Sequence, residues 1–174
     1  MPRLPALNRD ELPASAQAVF DEILASRKGN LAGPFQVWLH SPEFAKRAAH
    51  LGEFARYLTS LPLRQSELAI LTTARGQNCP AEWAIHAPIA RQAGLEEAII
   101  EALSIDARPV FADPADEALY NFCAELHATK TVCAATLERV VSHFGAPTAV
   151  ELTGLCGYYT LVAMTLNVFD VQPG

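Results

Sequence analysis

Apolar positions recur along most of this chain at helical rather than strand spacing. Between Ser15 and Lys28, Ala16, Val19, Phe20, Ile23 and Leu24 fall on one i, i+3, i+4, i+7 stripe. Gly29 and Asn30 close that helix, as C-termini prefer. Asn30 to His40 reads as a loop or short helix. Ser41-Pro42-Glu43 offers an N-cap serine and a proline at the first helical position, which predicts a helix to about Thr59, short of Pro62. Further helices are predicted over Arg64–Gly76, Pro80–Gly94, Leu95–Leu103, Pro114–Thr129 and Thr136–Phe144. Gly145-Ala-Pro147 breaks the pattern, and a last helix runs from about Thr148 to Phe169. No alternating strand pattern of useful length, linker, low-complexity tract or repeat interrupts this order. The expectation is one all-α helical bundle over residues 1–174.

Composition adds three points. Hydrophobic residues make up 51% of the chain and charged residues 18%, which is apolar enough to suggest a subunit interface besides a core. The net charge of −6 and the lack of a Lys/Arg cluster argue against nucleic acid and against an anionic lipid surface as partners. The stretch from Leu152 to Phe169 is uncharged and as long as a membrane span. Four polar side chains (Thr153, Thr160, Thr165 and Asn167) and the absence of basic anchors favour a helix buried in an oligomer instead. The N-terminus has no apolar signal region, and four cysteines are too few for a disulfide scaffold, so a reducing cytoplasm is the expected location.

The chemistry concentrates between Glu67 and Gly94, within the core stretch 64–94. Pro80 makes Cys79 the N-cap of a helix, where backbone N–H groups and the helix dipole favour thiolate. Glu82 and His86, four apart, share a helix face. Glu67 falls on a largely apolar face of the preceding helix, an unusual place for a carboxylate. One turn thus gathers a thiol, two carboxylates and an imidazole, a nucleophile with acid/base groups. Plainer roles stand beside this. Glu82 at the third helical position fits a helix cap, Cys79 an inert packed thiol, His86 a half-buried histidine, and Glu67 an ion pair with Arg64 or Arg75. No third ligand stands at recognisable spacing from the Glu82–His86 pair, so no metal and no cofactor is expected. Trp83, Arg75 and Tyr158 are candidates for binding a substrate, Arg75 through a carboxylate and Tyr158 through its hydroxyl.

This stretch resembles the core motif of the carboxymuconolactone decarboxylase/AhpD-like family. In the AhpD branch a Glu is followed after eleven residues by CxxC and, three residues on, by His. Glu67, Cys79 and His86 match that pattern, and Glu82 replaces the second cysteine. The decarboxylase branch carries a Glu and a His spaced like Glu82 and His86. GPFQVWLHSPEF near the N-terminus and GYYTLVAMTLN near the C-terminus also resemble longer members. The resemblance implies an AhpD-like helical fold and a homo-oligomer, commonly a trimer or hexamer. It implies acid/base chemistry, decarboxylation or isomerisation, on a small carboxylated lactone or other enolisable acid, with His86 as general acid oriented by Glu82. The alternatives are an AhpD-like peroxidase acting through Cys79, which here lacks the resolving thiol, and a non-catalytic oligomer that kept the fold.

Overall fold

The computed structural model describes residues 3–27 and 29–172. Lys28, where the first helical stripe ends, lies outside the described residues. The elements are helical throughout: α1 (Ala14–Ser26), α2 (Phe35–Trp38), α3 (Pro42–Glu53), a π-helical turn (Phe54–Leu58), α4 (Leu63–Gly76), α5 (Pro80–Gln92), α6 (Glu97–Ser104), α7 (Pro114–Thr129) and α8 (Ala134–Phe169). A 3₁₀ turn, Arg9–Glu11, precedes α1.

The helix α4 is the axis of the bundle. Every residue from Ser66 to Ala74 is buried, because α5, α7 and α8 all pack against it. It turns back into α5 through Gln77 and Asn78. Asn78 takes a left-handed φ of 47°, which its short polar side chain tolerates. Asn167, near the end of α8, donates a 3.0 Å hydrogen bond to the Gln77 carbonyl and ties that turn down. Asp113 caps α7 by accepting from the Ala115 N–H at 2.8 Å, with Pro114 behind it at the first helical position. Ser41 stands at the N-cap of α3 as expected, but its side chain makes no capping hydrogen bond.

Two differences from the sequence pattern matter. The helix expected to run on to Thr59 loses its α-helical register after Glu53 and continues as a π turn. Such turns interrupt the regular ladder and are frequent at functional sites. Ser60 follows this turn, and its N–H and hydroxyl both donate to Glu151 of α8, at 2.7 and 2.6 Å. The second difference is α8. Gly145, at φ 84° and ψ 162°, divides it in two where a break was expected, but no gap separates the halves. By length and composition α8 is apolar enough to cross a membrane, and half of its most apolar window is buried against the other helices. The remainder forms an outward seam, exposed except at half-buried Leu161. Val150, Gly154, Gly157, Leu161, Met164 and Val168 follow one another at spacings of four and three, on the outer side of α8.

The packing of α3 on α8 depends on one missing side chain. A Cβ added at Gly52 would lie 2.0 Å from the Tyr158 hydroxyl. That ring is buried and packs edge-on against Trp38 and Tyr159. Gly52→Ala should therefore destabilise the fold by about 1–3 kcal/mol, the usual cost of overpacking. Urea denaturation reads this as a lowered midpoint, and an unchanged midpoint would mean that Tyr158 is free to step aside.

Candidate active site

His86 is the centre of the site. It lies on α5, is 1% exposed, and has a carboxylate on each side. Its Nδ1 is 2.8 Å from Glu67 Oε2 of α4, and its Nε2 is 3.1 Å from Glu82 Oε1 one turn earlier on α5. Both glutamates are almost completely buried. Arg56, from the π turn, brings Nη1 to 3.3 Å from the same Nε2. Tyr159 of α8 completes the surround, its ring edge-on to the imidazole at 5.2 Å between centroids.

These contacts define the proton inventory. Glu67 takes the hydrogen on Nδ1, which fixes that end of the ring. Nε2 is contested. Uncharged, it accepts from Arg56; protonated, it turns a hydrogen toward Glu82. Burial by itself disfavours imidazolium, but the hydrogen bonds and charges of Glu67 and then Glu82 outweigh it, so His86 holds its proton more tightly than a free histidine. Burial pushes the Tyr158 hydroxyl up to about 12 and raises that of Tyr159 further still, so both stay protonated at neutral pH.

The imidazole faces a cavity of about 70 Å³, lined also by Arg27, Arg56, Glu82, Tyr158 and Tyr159. Arg27, Ala32, Phe35, Arg56 and Ile85 wall both this cavity and an outer cleft of about 480 Å³, so the two spaces adjoin. Arg27 lies 4.5 Å over the Phe35 ring, a cation–π contact that holds its head at the junction. Among the described residues lining the outer cleft, Arg27 and Arg56 are the only charged ones. An acidic chain has thus placed two guanidiniums at this opening.

Of the residues that the sequence singles out, Glu67, Glu82, His86 and Tyr158 come together here. Glu67 pairs with His86 and not with Arg64, which pairs with Asp116 and Glu96, nor with Arg75, which lies 3.4 Å from Asp106. Glu82 turns its carboxylate to the imidazole, so helix capping is not its part. Glu67 holds Nδ1, on the opposite side of the ring from Glu82. Cys79, Arg75 and Trp83 do not join them. They line a separate recess of about 260 Å³ with Asn78 and Ser104. Trp83 follows Glu82 by one residue, a rotation of roughly 100° around the helix that carries it off the His86 face. The expected acidity of Cys79 is also corrected. Burial raises its pKa, and the backbone N–H groups of Glu82 and Ala81 only partly oppose this. Arg56 and Arg27 were missed. A lone arginine in an amphipathic pattern reads as a solvated face, and the π turn that aims Arg56 inward leaves no composition signal. Among the described residues, no group of three or more His, Cys, Asp or Glu side chains is arranged to hold a metal ion.

Comparison with known proteins places this geometry. Residues 42–125, from the start of α3 into α7, match the carboxymuconolactone decarboxylase family. That segment carries the pattern of the carboxymuconolactone decarboxylase family, and the fold around it is AhpD-like. The family segment contains Arg56, Glu67, Glu82 and His86, while Arg27, Tyr158 and Tyr159 come from outside it. Solved structures share the whole fold. An uncharacterised peroxidase-related protein with an alkylhydroperoxidase AhpD core, from Ralstonia eutropha JMP134, superposes with a TM-score of 0.80 at 15% identity, over 99% of this chain and 92% of that one. A peroxidase-related protein from Silicibacter sp. TM1040 gives 0.79 at 16% identity, over 99% and 92%. A protein of unknown function from Agrobacterium tumefaciens gives 0.71 at 21% identity, over 82% of this chain and 98% of that one. No curated protein matches the chain.

The raised pKa of His86 has a consequence for stability. The folded state binds the proton more tightly than the unfolded chain, whose histidine titrates near 6.5. The stabilisation is therefore fully present below about pH 6.5 and is lost as pH rises through the higher folded value. Chemical denaturation from pH 6 upward should show stability declining across that window in the native protein and a flatter profile in His86→Gln. Parallel profiles would mean that the glutamates do not hold the imidazolium.

Proposed function

We propose that the chain is an enzyme performing acid/base chemistry, decarboxylation or isomerisation, on a small carboxylated lactone or other enolisable acid, with His86 as the proton donor and acceptor. One observation carries this reading: a buried imidazole is fixed by Glu67 through Nδ1 and presents Nε2, between Glu82 and Arg56, to a small cavity of about 70 Å³. The adjoining 480 Å³ cleft is of the size that small ligands fill. Arg27 and Arg56 at the junction supply charge for a carboxylate, the part that Arg75 cannot play from its own recess.

In the decarboxylation, the carbon–carbon bond to the carboxylate breaks and CO2 leaves. The electron pair delocalises onto the neighbouring carbonyl oxygen, where Arg56 stabilises the negative charge. His86 Nε2 then gives its proton to carbon, and the neutral ring, still held at Nδ1 by Glu67, regains a proton from solvent. Glu82 sets the proton affinity of Nε2. In an isomerisation the same ring takes a proton from one carbon and returns it to another. A peroxidase reading through Cys79 draws less support, since its thiol is raised in pKa and has Glu82 where a resolving cysteine would stand.

For partners, the reading includes a second copy of the chain. The seam of Val150, Gly154, Gly157, Leu161, Met164 and Val168 has helix-pairing spacing, and nothing in the fold lies against either glycine. Light scattering at micromolar concentration should read an oligomer, and Gly157→Glu should shift it to monomer. A monomeric native protein would remove this part of the proposal.

The catalytic test is a mutant cycle assayed on small carboxylated lactones. His86→Gln and Glu82→Gln should each lower kcat by about 10²–10⁴, the range for a positioned acid/base group. The double variant should fall little below the worse single, because either change disables the same device. Arg56→Gln should raise KM and lower kcat together. Cys79→Ser should keep most of the activity. A hundredfold loss in Cys79→Ser, with peroxide turnover by the native protein, would transfer the chemistry to the thiol. Small additive rate effects with a stability loss would make the cluster structural.

A further inference from the structure

The cysteines outside that site are not scattered. Cys123 of α7 and Cys156 of α8 bring their sulfurs to 3.5 Å in the core, and both are essentially unexposed. His127, one turn beyond Cys123 on α7, and Thr73 of α4 close around the Cys156 sulfur. His127 Nε2 is 2.9 Å from Thr73 Oγ1. The Thr73 hydroxyl spends its own hydrogen on the Ala69 carbonyl at 2.8 Å. It must therefore accept from Nε2–H, which fixes the tautomer of an uncharged His127. Two thiols, an imidazole and a hydroxyl thus meet where three helices join, and none of them lines the His86 cavity. A surface recess of about 210 Å³, bounded by Thr72, Gly76 and Tyr120, reaches His127 from outside.

We propose that Cys123 and Cys156 form an oxidisable dithiol, a second reactive site that cross-links α7 to α8 as a disulfide when the protein meets a hydroperoxide. The sulfurs are already in contact, and a disulfide of about 2.05 Å needs them roughly 1.5 Å closer. The two thiols are also unequal. The hydrogen bond with Cys123 draws the Cys156 pKa down, aided by His127 and against burial, while the same pairing pushes Cys123 up. With His127 and Thr73 beside it, Cys156 is the attacking sulfur and Cys123 the one that resolves.

The step balances. Cys156 gives up its proton and its thiolate attacks the outer oxygen of the hydroperoxide. The O–O bond breaks, the alcohol or water leaves with a proton, and Cys156 becomes a sulfenic acid. Cys123 attacks that sulfur, the S–O bond breaks, and water leaves with the Cys123 proton. Two thiols and one hydroperoxide yield one disulfide, one alcohol or water, and one water. A small dithiol reverses it.

Hydrogen peroxide is the probe. The intact native chain is treated at neutral pH, quenched, denatured and alkylated, then weighed and digested. Of the four free cysteines, two should become protected, and a peptide pair joining Cys123 to Cys156 should appear and vanish with dithiothreitol. Cys79→Ser, which touches neither sulfur, should cross-link as before. Cys123→Ala should abolish the linked pair and leave a sulfenic acid on Cys156 that dimedone traps. If that variant fails to fold, the peptide map of the native chain decides alone. Peroxide that oxidises exposed Cys133 while Cys123 and Cys156 remain alkylatable would overturn the proposal, as would a cross-link joining any other pair.

Discussion

A carboxylate buried to 1% exposure cannot stand alone in a protein core, and the rest of the site follows from how Glu67 is answered. An unpaired charge at that depth costs several kcal/mol. The answer comes from His86, nineteen residues later and across the α4–α5 turn, at 2.8 Å. That contact fixes the rotation of α5 against α4. The rotation brings Glu82 to the other ring nitrogen, and a second buried carboxylate then calls for positive charge. Arg56 supplies it from a π turn outside the two helices. With both carboxylates charged, one guanidinium and one imidazolium make the cluster neutral, which is the state in which burial is cheapest. The raised proton affinity of His86 is thus part of the same balance that lets two glutamates be buried.

Much of the fold was legible because it rests on local signals. The bounds of α7, Pro114 to Thr129, coincide with those expected, with Asp113-Pro114 marking its start. Gly145 interrupts the last helix where Gly145-Ala-Pro147 said it should. The site was half legible. Helical spacing paired Glu82 with His86, and the apolar setting of Glu67 marked it as unusual. Which glutamate would hold which nitrogen depends on how α4 crosses α5, and no spacing encodes that. Trp83 adjoins Glu82 in sequence but faces the recess of Cys79, since one helical residue is a rotation of roughly 100°, and Arg75 lines that recess too. Arg27, Arg56 and the Cys123–Cys156 pair come together from distant segments, and their arrangement exists only once the bundle is packed.

The last helix connects these parts. Its inner side supplies Tyr158 and Tyr159 to the cavity and Cys156 to the thiol cluster. Glu151 anchors the segment after the π turn, and Asn167 closes the α4–α5 turn. Gly52, by lacking a side chain, sets how deeply Tyr158 can seat. The walls of the cavity therefore come from Arg27 after α1, from α2, α3, the π turn, α5 and α8, which only tertiary packing aligns.

The way Glu67 grips His86 makes the ring a one-terminal device. The Nδ1 end faces dry protein and a fixed acceptor, so nothing is exchanged there. All traffic passes through Nε2 and the cavity in front of it. An occupant that fills a space of about 70 Å³ closes the same port by which the ring recharges. Each visit then has one stored proton at its disposal, and reloading waits for departure. In the proposed reaction such an acid would be metered by occupancy rather than by the surrounding pH, and would shield a carbanion-like species from stray protons for as long as the occupant stays.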